Sequence, residues 1–233
     1  RGVLDFARIF SVDDSIFHIG VGYKWGEMAN SPTSPFAAPV VRTEARGITF
    51  FNPAAFNAAG RGVSNVDRRI AAVEMLMARR SVKLQGEYWR AEYEGTRYTP
   101  GPVVEFSPQI KAGYLSVMWL ITGEDYSDAY RDSIPQKIKP RNKFGWGEGD
   151  GDGWGAWEVG LRYSFFDGSD FSAANGVSTG QLGAGAAAVT PSVTTSTNKA
   201  RAYTAQVKWI HNVYTRALLD YVRTEFDTPV VVN

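Results

Sequence analysis

A period of two in side-chain character runs through Gly153–Asp167, whose sequence is GWGAWEVGLRYSFFD. Every second residue from Trp157 to Phe165 is aromatic or aliphatic, whereas the intervening residues are small, polar or charged. Successive side chains of a β-strand point to opposite faces of the sheet, so this pattern predicts a strand with one apolar face and one polar face. Such a strand suits a soluble sheet packed on a core. It also suits a membrane barrel whose apolar face meets lipid.

The same alternation recurs along the chain, in places weakly, and predicts nine strands in all. The other eight are Gly2–Ser11, Ile16–Glu27, Val40–Phe50, Arg68–Arg79, Val82–Glu94, Gln109–Gly123, Ala200–Ile210 and Tyr214–Phe226. The segment Arg68–Arg79 also contains good helix formers, but the two-residue turn Arg80–Ser81 and the strong strand after it favour a strand.

The joins between these segments are a mixture of tight turns and long connections, which is typical of outer-membrane barrels. The long connections are Met28–Pro39, Phe51–Asp67, Gly95–Pro108, Glu124–Asp152 and Gly168–Asn198. The polar faces are dominated by Gly, Ala and Ser, whereas the outer faces of a soluble sandwich would be richly charged. We therefore predict an all-β fold, an antiparallel transmembrane β-barrel. A soluble all-β binding module remains the alternative.

Composition excludes several kinds of function. The chain has no cysteine, which rules out disulfides, thiolate metal sites and cysteine nucleophiles. Lys plus Arg number 25 and Asp plus Glu number 24, so net charge indicates no nucleic-acid partner. The two histidines have no Ser or carboxylate partner at a catalytic spacing, and no glycine-rich phosphate loop leads into a helix. We predict a protein that is not an enzyme and has no cofactor and no metal.

The strand count predicts that the chain is part of a longer barrel. Nine is odd, whereas single-chain bacterial barrels have an even number of strands, and no final strand ending in an aromatic residue follows Thr228–Asn233. We expect residues 1–233 to be the C-terminal portion of one barrel domain that lacks several early strands and the last one.

Four cations at every second position make Glu124–Asp152 the strongest candidate for function. They are Lys137, Lys139, Arg141 and Lys143, and we call them the basic run. In an extended segment they share one side, where they would attract anions if that side faces a pore. Arg61 and Arg68, in or beside Phe51–Asp67, would join this constriction if that connection folds inward. The alternative is a solvated connection with no role in permeation.

Strand alternation also assigns charged residues to the lumen. The predicted lumen-lining residues are Lys24, Lys83, Glu158, Arg162, Lys208 and Arg216. Their mixed signs favour ion pairs along the wall over a purely cationic ladder. Asp150 and Asp152 resemble the start of a calcium loop, but the later ligand positions are missing.

Successive strands cross the membrane in opposite directions, so counting strands predicts the side of the membrane on which each connection lies. If the missing last strand ends in the periplasm, the turns at 80–81 and 211–213 are periplasmic and the 51–67 and 168–198 connections are extracellular. The tight turn at 12–15 then falls on the extracellular side, where tight turns are unusual. Removing Val40–Phe50 from the strand count resolves this conflict.

Six segments, in order along the chain, resemble the C-terminal half of the phosphate-selective porin O/P family. They are FHIGVGYKW (17–25), LQGEYWRAEYE (84–94), GYLSVMWLITGE (113–124), IPQKIKPRNKF (134–144), GWGAWEVGLRYSFFD (153–167) and VYTRALLDYVRTEF (213–226). The resemblance implies a sixteen-stranded channel in the outer membrane of a Gram-negative bacterium. It also implies a homotrimer surrounded by outer-membrane lipids that passes small anions, phosphate-type ones in the best-known members.

The leading functional hypothesis is therefore an outer-membrane channel for passive diffusion of small anions. The alternative from another class is a structural or anchoring barrel with little transport. Single-channel conductance separates these two, and extraction without detergent would identify a soluble binding module.

Overall fold

The computed structural model describes residues 1–31, 33, 34, 36, 38–45, 47–53, 56, 64–97, 103–145, 153–171 and 197–227. Nearly all of its regular structure is β. The strands are β1 (Gly2–Asp5), β2 (Ser15–Met28), β3 (Val41–Arg42), β4 (Thr49–Phe51), β5 (Val66–Arg79), β6 (Val82–Arg97), β7 (Val104–Phe106), β8 (Gln109–Leu120), β9 (Tyr130–Arg131), β10 (Ile134–Pro135), β11 (Ala156–Asp167), β12 (Lys199–Ile210) and β13 (Arg216–Phe226). The helices are α1 (Phe6–Ile9) and a 3-10 turn, Ser127–Ala129. Among these residues, no helix has the length and apolar character needed to cross a membrane.

One antiparallel sheet contains all the long strands, in the order β1-β2-β5-β6-β8-β11-β12-β13, with β7 paired to the end of β6. Strand β2 pairs with β5 along its whole length, from Ser15 opposite Arg79 to Met28 opposite Val66. The hairpin of β5 and β6 turns at Arg80, and its first arm is a strand, as predicted, and not a helix. Within the described residues, β1 and β13 are the outer strands and the sheet is not closed.

The register confirms that the sheet has one apolar and one polar face. Trp157 is opposite Trp209 and Val159 is opposite Trp119, so these residues share a face. On the other face, Glu158 is opposite both Leu120 and Lys208. All eight rings that the alternation predicts to face outward lie on the apolar face: Phe17, Tyr23, Trp25, Trp119, Trp157, Tyr163, Trp209 and Tyr221.

Two rows of rings bound the apolar face. Trp157 and Trp209 stack with ring centroids 5.2 Å apart, and Tyr163 and Tyr203 lie 5.4 Å apart on the same two strands. Tyr163 is six positions after Trp157 along β11, so the rows are about 20 Å apart at 3.4 Å per residue. This spacing approaches the roughly 25 Å apolar band of outer-membrane barrels. In and beyond the tyrosine row the same face carries charged residues of both signs, among them Arg90, Lys111, Asp167, Lys199, Arg201, Arg223 and Glu225.

The connections lie at two opposite ends of the sheet. The turn end carries residues 6–14, the turn at 80–81, residues 121–145 and 153–155, and the turn at 211–215. Backbone hydrogen bonds join these pieces: the Arg80 N–H donates to the Asp14 carbonyl at 3.1 Å and the Phe144 N–H to the His211 carbonyl at 3.1 Å. The other end, which we call the loop end, carries the connections that follow β2, β6 and β11.

The prediction that Val40–Phe50 is a wall strand is wrong. Strand β2 pairs directly with β5, while β3 and β4 pair only with each other in a small hairpin, Val41 opposite Phe51. Neither alternating set of residues in this segment is continuously apolar, so it cannot present a face to lipid. Without it, the tight turn at 12–15 lies at the turn end beside 80–81, which resolves the conflict in parity.

The predicted strand Gly2–Ser11 is correct only to Asp5. The Asp5 side chain accepts a hydrogen bond from the Arg8 N–H at 3.3 Å and caps α1, because Asp is favoured at helix N-caps. The ring of Phe6 lies 5.2 Å from that of Phe17, which fastens this helix to β2. The predicted connection Gly95–Pro108 also contains strand structure, since β6 continues to Arg97 and pairs with β7.

Two connections fold back onto the polar face. At the loop end, the segment we call the 41–56 segment buries Phe50, Phe51 and Phe56 in a cluster with wall residues that include Tyr93 and Phe166. At the turn end, the 121–145 segment buries Tyr126 against Ile16, Leu76 and Leu120. Glycines with positive φ reverse the chain beside this second segment, Gly123 at +86° and Gly155 at +72°. The polar face therefore lies partly beneath two inner segments.

Candidate functional site

All six predicted lumen-lining residues lie on the polar face, each in register with other residues of that face. Their register partners are Ile70 for Lys24, Ala78 and Met118 for Lys83, Leu120 and Lys208 for Glu158, Ser116 and Thr204 for Arg162, Leu218 for Lys208, and Ile210 for Arg216. Lys24 lies nearer the loop end, Arg162 in the middle, and the other four near the turn end. Their contact with a lumen remains a prediction.

Glu158 is the centre of the turn-end site. Its side chain is 1% exposed and forms an ion pair with Lys208 on the neighbouring strand. The Tyr126 hydroxyl donates a hydrogen bond to Glu158 Oε2 at 2.8 Å. The ammonium of Lys83 lies 4.7 Å from the centre of the Tyr126 ring, within the range of a cation–π contact. One buried carboxylate therefore joins the wall to the 121–145 segment.

The environment of Tyr126 disfavours loss of its phenolic proton. Burial raises the pKa of the Tyr126 hydroxyl far above its usual value, and the neighbouring Glu158 carboxylate raises this pKa further. The phenol, which is protonated at neutral pH as tyrosine normally is, therefore stays a donor to Glu158 at alkaline pH as well.

Further contacts attach the 121–145 segment to the wall on either side. The Tyr130 hydroxyl lies 2.7 Å from Nδ1 of the buried His18, whose Nε2 is 3.2 Å from Glu74 Oε1. The Tyr126 N–H donates to the Arg80 carbonyl at 3.0 Å, and within the segment the Arg141 N–H donates to the buried Glu124 at 3.2 Å. Burial is the main cause that raises the pKa of Tyr130. The segment is thus attached to the sheet at several points.

The four cations of the basic run all have exposed side chains. Between them, Ile138 is half-buried against the turn-end cluster and Pro140 is buried. Asn142, between Arg141 and Lys143, is exposed like its neighbours. That the four cations share one side stays a prediction.

A cavity of about 510 Å³ lies between the 121–145 segment and the wall, and we call it the turn-end cavity. Four cations and one carboxylate line it, a formal excess of three positive charges: Lys83, Lys137, Lys208, Arg216 and Glu158. Only Lys137 of the basic run contributes to this lining. The structure therefore combines part of the predicted constriction with three of the predicted lumen-lining cations.

The two other predicted constriction residues are not part of this site. Arg61 lies outside the described residues. Arg68 lies on the polar face opposite Gly26 and Tyr93, near the loop end. Ten residues of β5 separate Arg68 from Ala78, the register partner of Lys83, which is about 34 Å along the strand.

A second attachment, which sequence reasoning missed, fixes the 41–56 segment to the middle of the polar face. Glu44 accepts hydrogen bonds from the hydroxyls of Ser164 at 2.5 Å and Thr204 at 2.7 Å, and its Oε1 lies 3.3 Å from Arg162 Nε. The guanidinium of Arg162 also lies 4.0 Å from the centre of the Tyr114 ring. Arg162 is therefore an ion-paired attachment point and not a free cation.

A sequence signal for Glu44 existed. The residues Arg42, Glu44 and Arg46 alternate in a segment with no apolar face, and a wall strand exposed to lipid could not have this pattern. The alternation instead suits a segment surrounded by water and polar wall residues.

The sequence offers little for metal binding. Asp150 and Asp152, the possible start of a calcium loop, lie outside the described residues. Among the residues that are described, no three or more His, Cys, Asp or Glu side chains are grouped so as to hold a metal ion.

An antiparallel sheet with an exposed apolar face, two rows of rings and a polar face covered by inner segments has the organisation of a porin wall. Comparison with known families agrees. The chain belongs to the phosphate-selective porin O and P family, whose sequence model matches residues 50–227. This is a family of channels and not of enzymes, and it implies the outer membrane of Gram-negative bacteria. Searches of curated proteins and of solved structures each found no significant match.

Proposed function

We propose that this chain forms part of the wall of an outer-membrane channel through which small anions diffuse passively, with phosphate-type anions as the expected solutes. The apolar face meets lipid and the polar face meets a water-filled lumen. Family membership supports the class of protein, and the arrangement of the faces supports the orientation of the wall. By family resemblance, we further propose that the channel is a homotrimer.

The position of the basic run is the observation that carries the proposal for anions. Its four cations have exposed side chains on a segment attached to the polar face, and we propose that they meet the lumen of a closed barrel. Close like charges repel, and an anion that enters relieves this repulsion. A low-dielectric wall strengthens the attraction, which raises the local anion concentration.

The two inner segments are a reason to expect that the channel is narrow. The 121–145 segment is held through Tyr126 on Glu158, and the 41–56 segment through Glu44 on Arg162. Each segment occupies space over the polar face. A permeating ion would therefore pass close to the charged side chains that these segments carry.

Neutralising the basic run tests the proposal. In planar bilayers, we expect the variant with Lys137, Lys139, Arg141 and Lys143 all changed to Gln to lose anion-over-cation selectivity in reversal-potential measurements. The loss should be greatest at low salt, because the Debye length falls from about 10 Å at 0.1 M to about 3 Å at 1 M.

A matched control removes four cations from the apolar face. Arg90, Lys111, Arg201 and Arg223, each changed to Gln, lie on that face and away from the proposed lumen. This variant should keep the selectivity of the unmodified channel. An equal loss in both variants, or no loss in the basic-run variant, would contradict the proposed role of the run. A protein that inserts but conducts no ions would support an anchoring barrel instead.

A further inference from the structure

The turn-end cavity is large for a simple inorganic anion. Its volume of about 510 Å³ falls within the roughly 300–1,000 Å³ of pockets that bury small organic ligands. A bare phosphate ion is much smaller than the ligands that such volumes hold. The cavity therefore has room for an anion that carries an organic group.

The lining combines cations with rings and aliphatic side chains. Three tyrosines, Tyr126, Tyr130 and Tyr214, contribute to it. Larger aliphatic residues also line it, beside a few small or polar ones: Ile16, Leu76, Ile138, Ile210 and Val213. A hydrated inorganic ion gains little from such surfaces, whereas a planar organic group packs favourably on aromatic rings.

The cations of the cavity differ in how they are neutralised. Lys208 forms an ion pair with Glu158. Lys137 and Arg216 have exposed side chains, and no carboxylate lies within 4.0 Å of their charged nitrogens among the described residues. The ammonium of Lys137 is 6.0 Å from the centre of the Tyr214 ring. Two cations without a carboxylate partner thus line the cavity, and one of them, Lys137, lies beside the Tyr214 ring.

We propose that the turn-end cavity is a binding site for organic anions in which a phosphate or carboxylate group is attached to an aromatic ring. Lys137 and Arg216 bind the anionic group, and the ring of the ligand packs against Tyr214. This inference rests on the proposed function, because the site lies on the same permeation path. It adds a preference for aromatic anions over inorganic anions, which charge alone does not provide.

Blockade of the chloride current tests this preference. Single channels of the intact protein in planar bilayers are titrated with phenyl phosphate, inorganic phosphate and neutral phenol. We expect phenyl phosphate to block half of the current at a concentration about tenfold below that of inorganic phosphate, because one aromatic contact contributes up to roughly that factor. Phenol should not block.

Two variants separate the ring from the charge. Tyr214 is 89% exposed, so Tyr214→Ser should fold normally and should bring the two half-blocking concentrations close together. Lys137→Gln should raise both concentrations and leave their ratio nearly unchanged. Tyr203→Ser, on the apolar face, is the control and should change neither value.

The outcomes distinguish this inference from the proposed function. Equal half-blocking concentrations in the unmodified channel would overturn the organic-anion site, as would an unchanged ratio in Tyr214→Ser or blockade by phenol. In all three cases an anion-selective chloride current leaves the proposed channel intact. A cation-selective current in the unmodified protein would overturn the channel proposal itself.

Discussion

Glu44 and Arg162 form an ion pair, with 3.3 Å between Oε1 and Nε, that attaches an inner segment to the channel wall. The two residues lie far apart in the chain, and each changes the role of the other. The carboxylate neutralises a cation that strand alternation alone assigns to the lumen. The guanidinium, held over the Tyr114 ring, gives the 41–56 segment a fixed attachment point.

Removing this attachment should widen the channel. We expect Glu44→Ala to raise single-channel conductance and current noise, because the side chain loses its contacts with Ser164, Thr204 and Arg162. In Glu44→Gln the side-chain oxygen can still accept a hydrogen bond, but Arg162 loses its countercharge. This second variant should increase anion selectivity with little change in conductance.

Asp220→Ala provides the control for the loss of a negative charge. Asp220 lies on the same polar face and accepts a hydrogen bond from Gln206 on the adjacent strand at 3.0 Å, so its removal releases no inner segment. An equal rise in conductance in Asp220→Ala and Glu44→Ala would show that charge, and not the attachment, explains the effect.

The Glu158–Lys208 pair should contribute strongly to stability when only one partner is removed. Glu158 is buried and Lys208 is 19% exposed, so Glu158→Gln leaves a poorly solvated cation. Breaking such a pair costs about 3–5 kcal/mol, measured as the change in free energy of unfolding from the folded barrel in detergent. The double variant Glu158→Gln with Lys208→Met should recover most of this loss. A double variant as unstable as the sum of its single changes would indicate that the two residues are not coupled.

A charged side chain on the apolar face, between its two rows of rings, should destabilise the folded barrel. Leu161 lies between the Trp157 and Tyr163 positions and is 63% exposed, as expected of a side chain that meets lipid. We predict that Leu161→Arg destabilises the folded barrel in lipid by roughly 2–4 kcal/mol. Gln206→Arg places the same charge on the polar face of the neighbouring strand and should cost much less. Similar losses in both variants would refute the assignment of the faces.

The two ends of the sheet should lie on opposite sides of the membrane. The chain has no cysteine, so an introduced one is a unique label site. On intact cells, we expect a membrane-impermeant thiol reagent to label Glu105→Cys at the loop end and not Asn212→Cys at the turn end. Both should be labelled once the cells are opened. Labelling of Asn212→Cys alone on intact cells would reverse the proposed orientation.

Strand positions and faces were predictable because both depend on local alternation. A strand places neighbouring side chains on opposite sides, and lipid and water then select which residues each side carries. The same logic shows why Val40–Phe50 was a wrong prediction: its weak alternation of charged residues suggested a strand, although it has no alternating set of apolar residues that could face lipid. The start of α1 was also recoverable in principle, since Asp5 is a good helix cap.

The tertiary structure alone decided which polar and charged side chains meet. Glu44 with Arg162 and Tyr126 with Glu158 join residues from distant parts of the chain, and nothing in their local sequence specifies the partner. The sequence by itself determined that this is an antiparallel sheet with a lipid-type face and a polar face, because strand periodicity is local. The three-dimensional arrangement decided that two connections cover the polar face and that Lys137 lines a cavity with Lys83, Lys208 and Arg216, because such contacts depend on where a long connection folds back.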